Sequence, residues 1–488
     1  MTLERTTKWL AIVVGSAFIA LVVVLAVLRL LYPYEVEWME GAMLDHVVRI
    51  FAGKPIYSAP SIDFIPWLYP PVYYYVVALS AKIFGMGFFA GRIVSFLSTI
   101  LIALALGWIT HRVTKDRIFS FLTFALYFAT DAATGFYFDI VRNDAFFTLV
   151  LVAAAVAAIT IKGKTSGIVA GIILALGFLT KQQTIFFLTP LAIYFWLRDR
   201  KQCLLFLSIS IVLSIAAIVG LNASTHGWSD YYMFTIPKAK QANFVVMRMF
   251  DVFPNYALGP FAICSLAFLA LLFLKKSWRD FISGSKGLFA MMSLAALFAG
   301  AMSLGNEGGY RNVMMPFVAF IIPMLPIAMH ELRNWKHELS RYIYLPILFQ
   351  FAALYFNPLS DTIVIASAHQ RAGGDAFMAK LRTIPGEVYI PYHGYITRQA
   401  GKESHAQLLA TLDVLRVHDT TARRLQADFD SAMARHRFSA VIEEECRDIP
   451  CDSVVHYTYA GKMMEEPNVM LTRFSSEATR PEFLFVPK

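Results

Sequence analysis

The sequence predicts a polytopic α-helical membrane protein of about eleven spans, with interfacial helices in its first outer loop and a small C-terminal α/β domain. Three observations lead there. Of 488 residues, 57% are hydrophobic and only 16% charged, and the mean hydropathy is +0.56; soluble domains rarely carry so much apolar surface. Apolar runs approaching the length of a bilayer-crossing helix recur along residues 1–356. Lys and Arg gather in every second connection between those runs, as the positive-inside rule requires. The net charge of +9 therefore needs no nucleic-acid partner.

The first run, Trp9 to Leu31, follows Arg5 and Lys8, and no small-residue cleavage site comes after it. It reads as a retained span. The first outer loop, 32–87, is mixed in character. Within it, 39–52 is amphipathic: Met39, Met43, Val47 and Ile50 share one helical face with Leu44 and Phe51, opposite Asp45, His46 and Arg49. That pattern suits a helix lying at the interface, ended by Gly53 and Pro55. The run 71–84 is about 21 Å of helix, short of a span. Treated as a second interfacial helix, it leaves spans at 88–110, 118–131, 145–161, 166–180, 183–197, 203–221, 257–274, 287–304, 312–329 and 342–356. With the amino terminus inside, the inner segments hold 17 Lys and Arg, and the outer turns 132–144, 181–182 and 305–311 hold one each. Counting 71–84 as a span inverts every later loop and destroys this bias.

From 357 to 488 charged residues become frequent and long apolar runs stop. "GEVYIPYHGY", "RFSAVIEEE" and "PEFLFVP" read as strands, and 404–416 and 421–435 as helices. With an odd span count, this α/β domain lies on the outer face. Cys203 and Cys264 fall in apolar spans and suit packing. Cys446 and Cys451, in "ECRDIPC", are spaced for a small disulfide loop on an oxidising face; the sequence does not decide whether it forms.

Ionisable residues are almost absent from mid-span, which speaks against an ion-coupled carrier. They collect at the outer helix ends, so any chemistry belongs at the outer lipid–water boundary. Glu37 and Glu40 in "EVEWMEG" share a face if helical. They read either as acids favoured at a helix start or as a carboxylate that takes a proton or holds a metal. Asp144, with Asp139 and Arg142 in "FDIVRND", poses the same choice. Arg142, Lys181 in "LTKQQ" and Arg311 in "GGYRN" stand alone in outer turns, and Arg92 opens its span on the same side. One such cation can simply snorkel; four at similar depth point to a bound anion, for which phosphate is the natural candidate. His226, near Asp230, is a candidate metal ligand, with a solvated histidine as the plainer reading. His393 in "PYHGY" reads as structural. "NAS" at 222–224 fits a glycosylation acceptor, a pattern common by chance.

Taken together, "EG" at 40–41, the amphipathic helix, "AGKPIY" and "YPPVYYYVVAL…FG" resemble the first outer loop of GT-C glycosyltransferases. "VRNDAFF" resembles their second acidic loop, and "GFLTKQQTIFFLTP" the segment after it. The nearest groups are bacterial relatives of the protein mannosyltransferases and of the lipid A aminoarabinose transferase. The resemblance covers roughly 30–200. It implies a polyprenyl-phosphate sugar as donor, a lipid, glycan or protein as acceptor, and single displacement with inversion at the sugar. Glu40 matches the first-loop acid and Asp144 the second. Two departures stand out. Met39 fills the place of an Asp before the acid, so Glu37 competes with Glu40 for the role. Tyr69 replaces a Lys before the proline pair, so phosphate binding passes to Arg142, Lys181 or Arg311. A divalent metal is the one cofactor the resemblance brings, with Glu40, Asp144 and His226 as candidate ligands.

The expectation is thus a glycosyltransferase on the outer face of a bacterial inner membrane, with its C-terminal domain periplasmic. A transporter or flippase of a lipid-linked sugar is the rival class. A membrane anchor for a binding domain is a third, for which eleven spans are excessive.

Overall fold

The computed structural model describes residues 3–357, 365–444, 455–464, 466, 469–470, 472–474 and 477–488. Cys446 and Cys451 lie outside the described residues. A helix falls on each of the eleven predicted spans. The first nine helices of the chain are α1 (Leu3–Leu30), α2 (Glu40–Phe51), α3 (Val72–Phe84), α4 (Phe88–Thr114), α5 (Arg117–Ala129), α6 (Asn143–Thr160), α7 (Lys164–Phe178), α8 (Ile185–Arg198) and α9 (Arg200–Ser224). Further helices follow at Ala262–Phe273, Ser285–Gly305, Met315–Ile321, Met324–Trp335 and Leu345–Tyr355.

Among the described residues, six helices are long and apolar enough to cross a membrane: α1, α4, α6, α9, Ser285–Gly305 and the stretch Arg311–Trp335. A seventh arises if Val246–Ala257 and Ala262–Phe273, bent by 88°, count as one broken span. The protein is therefore multi-pass and helical, with six clear spans. The other predicted spans are shorter helices: α5, α7, α8 and Leu345–Tyr355 have 13, 15, 14 and 11 residues. Thirteen residues rise only about 20 Å, against a hydrocarbon core of about 30 Å.

The sequence sets the local boundaries. Asp116 caps α5 by accepting from the backbone N–H groups of Ile118 and Phe119 at 2.8 and 3.2 Å, and Asp199 caps α9 through Lys201. Gly167 and Gly171, one turn apart on α7, let the backbone of α9 come close. A Cβ there would lie 2.5 Å from the Gln202 carbonyl oxygen and 2.9 Å from that of Phe206. This is the small-residue packing expected where lipid supplies no hydrophobic drive between helices.

The amphipathic helix α2 is present, but its two faces do not divide as expected. His46, placed on the polar face, is fully buried. Its Nδ1–H donates to the Ala42 carbonyl and its Nε2 accepts from the Trp67 N–H, while its ring stacks on Tyr74 with 4.2 Å between centroids. Burial drives its pKa down to about 3, so it stays neutral. Both sides of α2 are covered because the C-terminal domain packs on the first loop. Met39, Met43 and Val47 share one apolar cluster with α3 and with Tyr395, Ala410 and Val414 of that domain.

The C-terminal domain holds a four-stranded sheet in the order β1 (Val388–Tyr389), β2 (Ala440–Glu443), β6 (Phe483–Pro487), β3 (Tyr457–Lys462), and a small hairpin of β4 (Thr472–Phe474) and β5 (Glu477–Thr479). β1 and β2 run parallel, with Val388 opposite Ala440. The crossover that this demands contains helices Gly394–Gln399, Leu408–Leu415 and Thr420–Ala434. Three strand segments and two of these helices match the expected ones. Helix Ala368–Thr383, β3 and the hairpin have no counterpart among them.

Candidate functional site

The first outer loop, the turn before α6, the turn before α8 and residues 310–314 meet at one end of the helical bundle. Their charged side chains form two adjoining clusters, both almost wholly buried.

The first cluster centres on Arg92, at the start of α4. Its Nε donates to Glu40 Oε1 at 2.8 Å and its Nη2 to Glu40 Oε2 at 2.7 Å. Nη1 donates to the carbonyls of Arg29 and Tyr32, and Nη2 also to that of Tyr34, at 2.6–2.7 Å. All five guanidinium N–H groups are thereby used. Glu40 also accepts from Val141 N at 2.9 Å and Val36 N at 2.8 Å. Burial would raise the Glu40 carboxyl, but the Arg92 charge and these hydrogen bonds hold it below the ordinary range. Here every Arg92 N–H is engaged within the protein and both Glu40 oxygens are doubly engaged. The pair ties the first loop to α4 and to the turn before α6.

The second cluster holds Glu37, Arg142, Asp144 and Lys181. Glu37 Oε1 accepts from Arg142 Nη1 at 2.7 Å and from the Tyr137 hydroxyl at 3.3 Å. Its Oε2 accepts only from Met39 N, at 3.1 Å. Burial raises the Glu37 carboxyl above its ordinary value, against the charges of Arg142 and Arg473. Asp144, in the first turn of α6, binds Lys181 Nζ at 2.6 Å and Asn312 Nδ2 at 2.9 Å, both through Oδ1. Its Oδ2 lies 3.9 Å from Arg142 Nε, and both of those atoms are buried without a hydrogen-bond partner. Arg142 Nη2 is 3.4 Å from the Tyr69 hydroxyl. Asp144 Oδ2 and Arg142 Nε attract each other as an ion pair but are too far apart to hydrogen-bond.

The predicted residues are thus partly gathered. Glu37, Arg142, Asp144 and Lys181 are together. Arg311 is half-buried and opens the turn that delivers Asn312 to Asp144; its neighbour Tyr310 lies with its ring 5.9 Å from that of Tyr137. Asp139 is set apart, in a buried pair with Arg29 at 2.8 Å. His226 is exposed, in a turn with φ of +52°, and Asp230 is exposed too. Neither reaches the acids. Among the described residues no three His, Cys, Asp or Glu side chains gather as metal ligands. Of the two candidate acids, Glu40 has both oxygens engaged, and the oxygen of Asp144 without a hydrogen bond is flanked by Arg142 and Lys181, which repel a cation. The proposed set of Glu40, Asp144 and His226 therefore does not fit a divalent metal.

Three contributors were missed from sequence: Tyr137, Asn312 and Arg473. Asn312 and Tyr137 sit beside residues already singled out, in "YRN" and "YFDIVRN". Arg473 lies in a stretch with no local signal.

Residues 69–226 match the family described as dolichyl-phosphate-mannose-protein mannosyltransferase. No curated protein matches the chain. The fold is similar to ArnT from Cupriavidus metallidurans in the apo state, with TM-score 0.61 and 11% identity over 99% of this chain and 98% of that one. The same protein bound to undecaprenyl phosphate gives TM-score 0.63 and 11% identity over 96% and 97%. The Archaeoglobus fulgidus oligosaccharyltransferase, solved with Zn and sulfate, gives 0.52 and 12% over 93% and 72%. The chain thus shares the fold of these structures over nearly its whole length and, over residues 69–226, is similar to the dolichyl-phosphate-mannose-protein mannosyltransferases.

Proposed function

We propose that the chain is a membrane glycosyltransferase that moves a sugar from a polyprenyl phosphate to a hydroxyl on a lipid, glycan or protein. The reaction takes place on the outer face of a bacterial inner membrane. The observation that carries this reading is the buried gathering of two acids and two cations from separate outer segments, Glu37 with Arg142 and Asp144 with Lys181. The undecaprenyl phosphate bound by the similar ArnT supports the donor class.

The acceptor oxygen attacks the anomeric carbon as the bond from that carbon to phosphate oxygen breaks. The acceptor proton passes to Glu37, whose raised pKa suits a general base. Arg142, Lys181 and Arg311 stabilise the charge left on the departing polyprenyl phosphate. Asp144 orients a hydroxyl with Oδ2 while Oδ1 holds Lys181. Single displacement inverts the sugar, a hexose or pentose. Glu40 and Arg92 shape the loop and stay outside the chemistry.

The test is transfer by purified protein in detergent, given a radiolabelled polyprenyl-phosphate sugar and membrane extract. Glu37→Gln and Asp144→Asn are each expected to lower the rate by about 10²-fold or more. Undiminished transfer by both variants would reject the site.

A further inference from the structure

Six consecutive residues of the first loop, Pro33 to Trp38, run along the C-terminal domain, and most of them are gripped by it. The Pro33 carbonyl accepts from Gln399 Nε2 at 2.8 Å. The Tyr34 hydroxyl donates to Asp375 at 2.5 Å, and its ring lies where a Cβ on Gly374 would stand. Glu35 accepts from His393 Nδ1, whose Nε2 donates to Glu444. Val36 O accepts from Arg473 N at 3.0 Å, and Trp38 N donates to Arg473 O at 3.3 Å. That is a short parallel strand pairing across Glu37.

The side chain of Arg473 turns toward the same residue. Its guanidinium lies 4.8 Å from the centre of the Tyr137 ring, against which Arg142 also packs at 5.4 Å. Tyr137 donates to Glu37, and the Arg473 charge acts on Glu37 directly. Arg473 Nη1 is anchored on the Gly135 carbonyl. From the opposite side, Arg92 binds the Tyr32 and Tyr34 carbonyls. Gly41 completes the fit: a Cβ there would be 1.9 Å from Glu35 Oε1 and 2.6 Å from Tyr395 Cβ. One short segment is clamped between α4 and the C-terminal domain, and Glu37 is part of it.

We infer that Arg473 and His393, both in the C-terminal domain, are positioning residues that hold Glu37 in place, so that this domain completes the site. The inference rests on Glu37 being the base, and its test separates the two ideas.

In the full-length protein in detergent, Arg473→Ala and His393→Gln should raise amide hydrogen exchange across residues 33–40 by about tenfold or more, leaving α4 and α6 protected. Unchanged exchange in both overturns the clamp, whatever the enzyme does. In the transfer assay with a polyprenyl-phosphate sugar, Arg473→Ala should lower kcat by about 10- to 100-fold with KM nearly constant, because a small misplacement of a catalytic group costs rate. Arg473→Lys, which restores the cation, should recover most of it. A kcat per folded molecule equal to wild type in Arg473→Ala overturns the positioning role. If wild type itself transfers nothing, the enzyme reading fails and the exchange result still decides the clamp.

Discussion

At the scale of single residues, the difference between Glu37 and Glu40 is the most instructive. Three positions apart, they are equivalent in any local pattern. What separates them is Arg92, 52 positions from Glu40 in sequence, which takes both oxygens of one acid and leaves the other to Arg142. The sequence could place the acids and cations at one membrane boundary, but could not pair them, since pairing depends on which helices adjoin. His393 shows the same limit. It reads as a strand-end histidine, yet it is buried between Glu35 and Glu444 with both ring nitrogens engaged. Burial alone would push it down, but the two carboxylates raise it from 6.5 to about 10. Burial raises Glu35 to about 6, so above that pH the acid is ionised beside a cation. A group whose folded pKa lies above its unfolded value gives stability below the unfolded pKa and loses it as pH rises through the folded one. The His393 contribution is therefore full below about 6.5 and falls away toward about 10. Thermal unfolding in detergent should show wild type losing stability over that window. His393→Gln, starting less stable, should lose clearly less. Parallel pH curves for the two proteins would contradict an imidazolium at this position.

At the scale of elements, helix positions were the most readable feature, because a run of apolar residues bounded by charge leaves little choice of structure. The number of clear spans was less readable. α5 and α7 are apolar but short, and composition does not tell a short buried helix from a full crossing. Helix contacts left a faint trace. Gly167 and Gly171 lie four apart on α7, and only the neighbouring carbonyls of α9 reveal why. Gly220, also in α9, meets nothing within 4 Å of an added Cβ. Gly167→Ala would press a methyl to 2.5 Å of the Gln202 oxygen, and is expected to destabilise by about 1–3 kcal/mol. Gly220→Ala should be neutral or stabilising, since Ala is the better helix former by about 1 kcal/mol. Melting temperatures in one detergent decide it, and equal shifts would mean that the α7–α9 crossing is not tight.

At the scale of the whole molecule, charge bias and site geometry address the same question from independent evidence. Lys and Arg accumulate at one set of helix ends, including the α4–α5 connection at Lys115 and the α8–α9 connection at Arg200. The acids and their partners meet at the other set. The C-terminal domain joins that second end by several contacts besides the clamp. Lys240, beyond α9, pairs with Asp413 at 2.7 Å, and Glu307, in the turn before Arg311, pairs with Arg416 at 2.5 Å. The domain therefore lies on the same side as the site, and the positive-inside rule predicts that this side is the outer one. Lys115, Arg200, His226 and Asp428 are all exposed, so single cysteines there report sidedness with little risk to folding. In intact bacterial spheroplasts, a membrane-impermeant thiol reagent should modify cysteine at 226 and 428, and should reach 115 and 200 only after the membrane is opened. Labelling of 428 only after the membrane is opened, as at 115, would place the C-terminal domain, and with it the site that it covers, in the cytoplasm. A lipid-linked donor would then have to be used on that face, and the outward reading of the charge bias would be wrong for this chain.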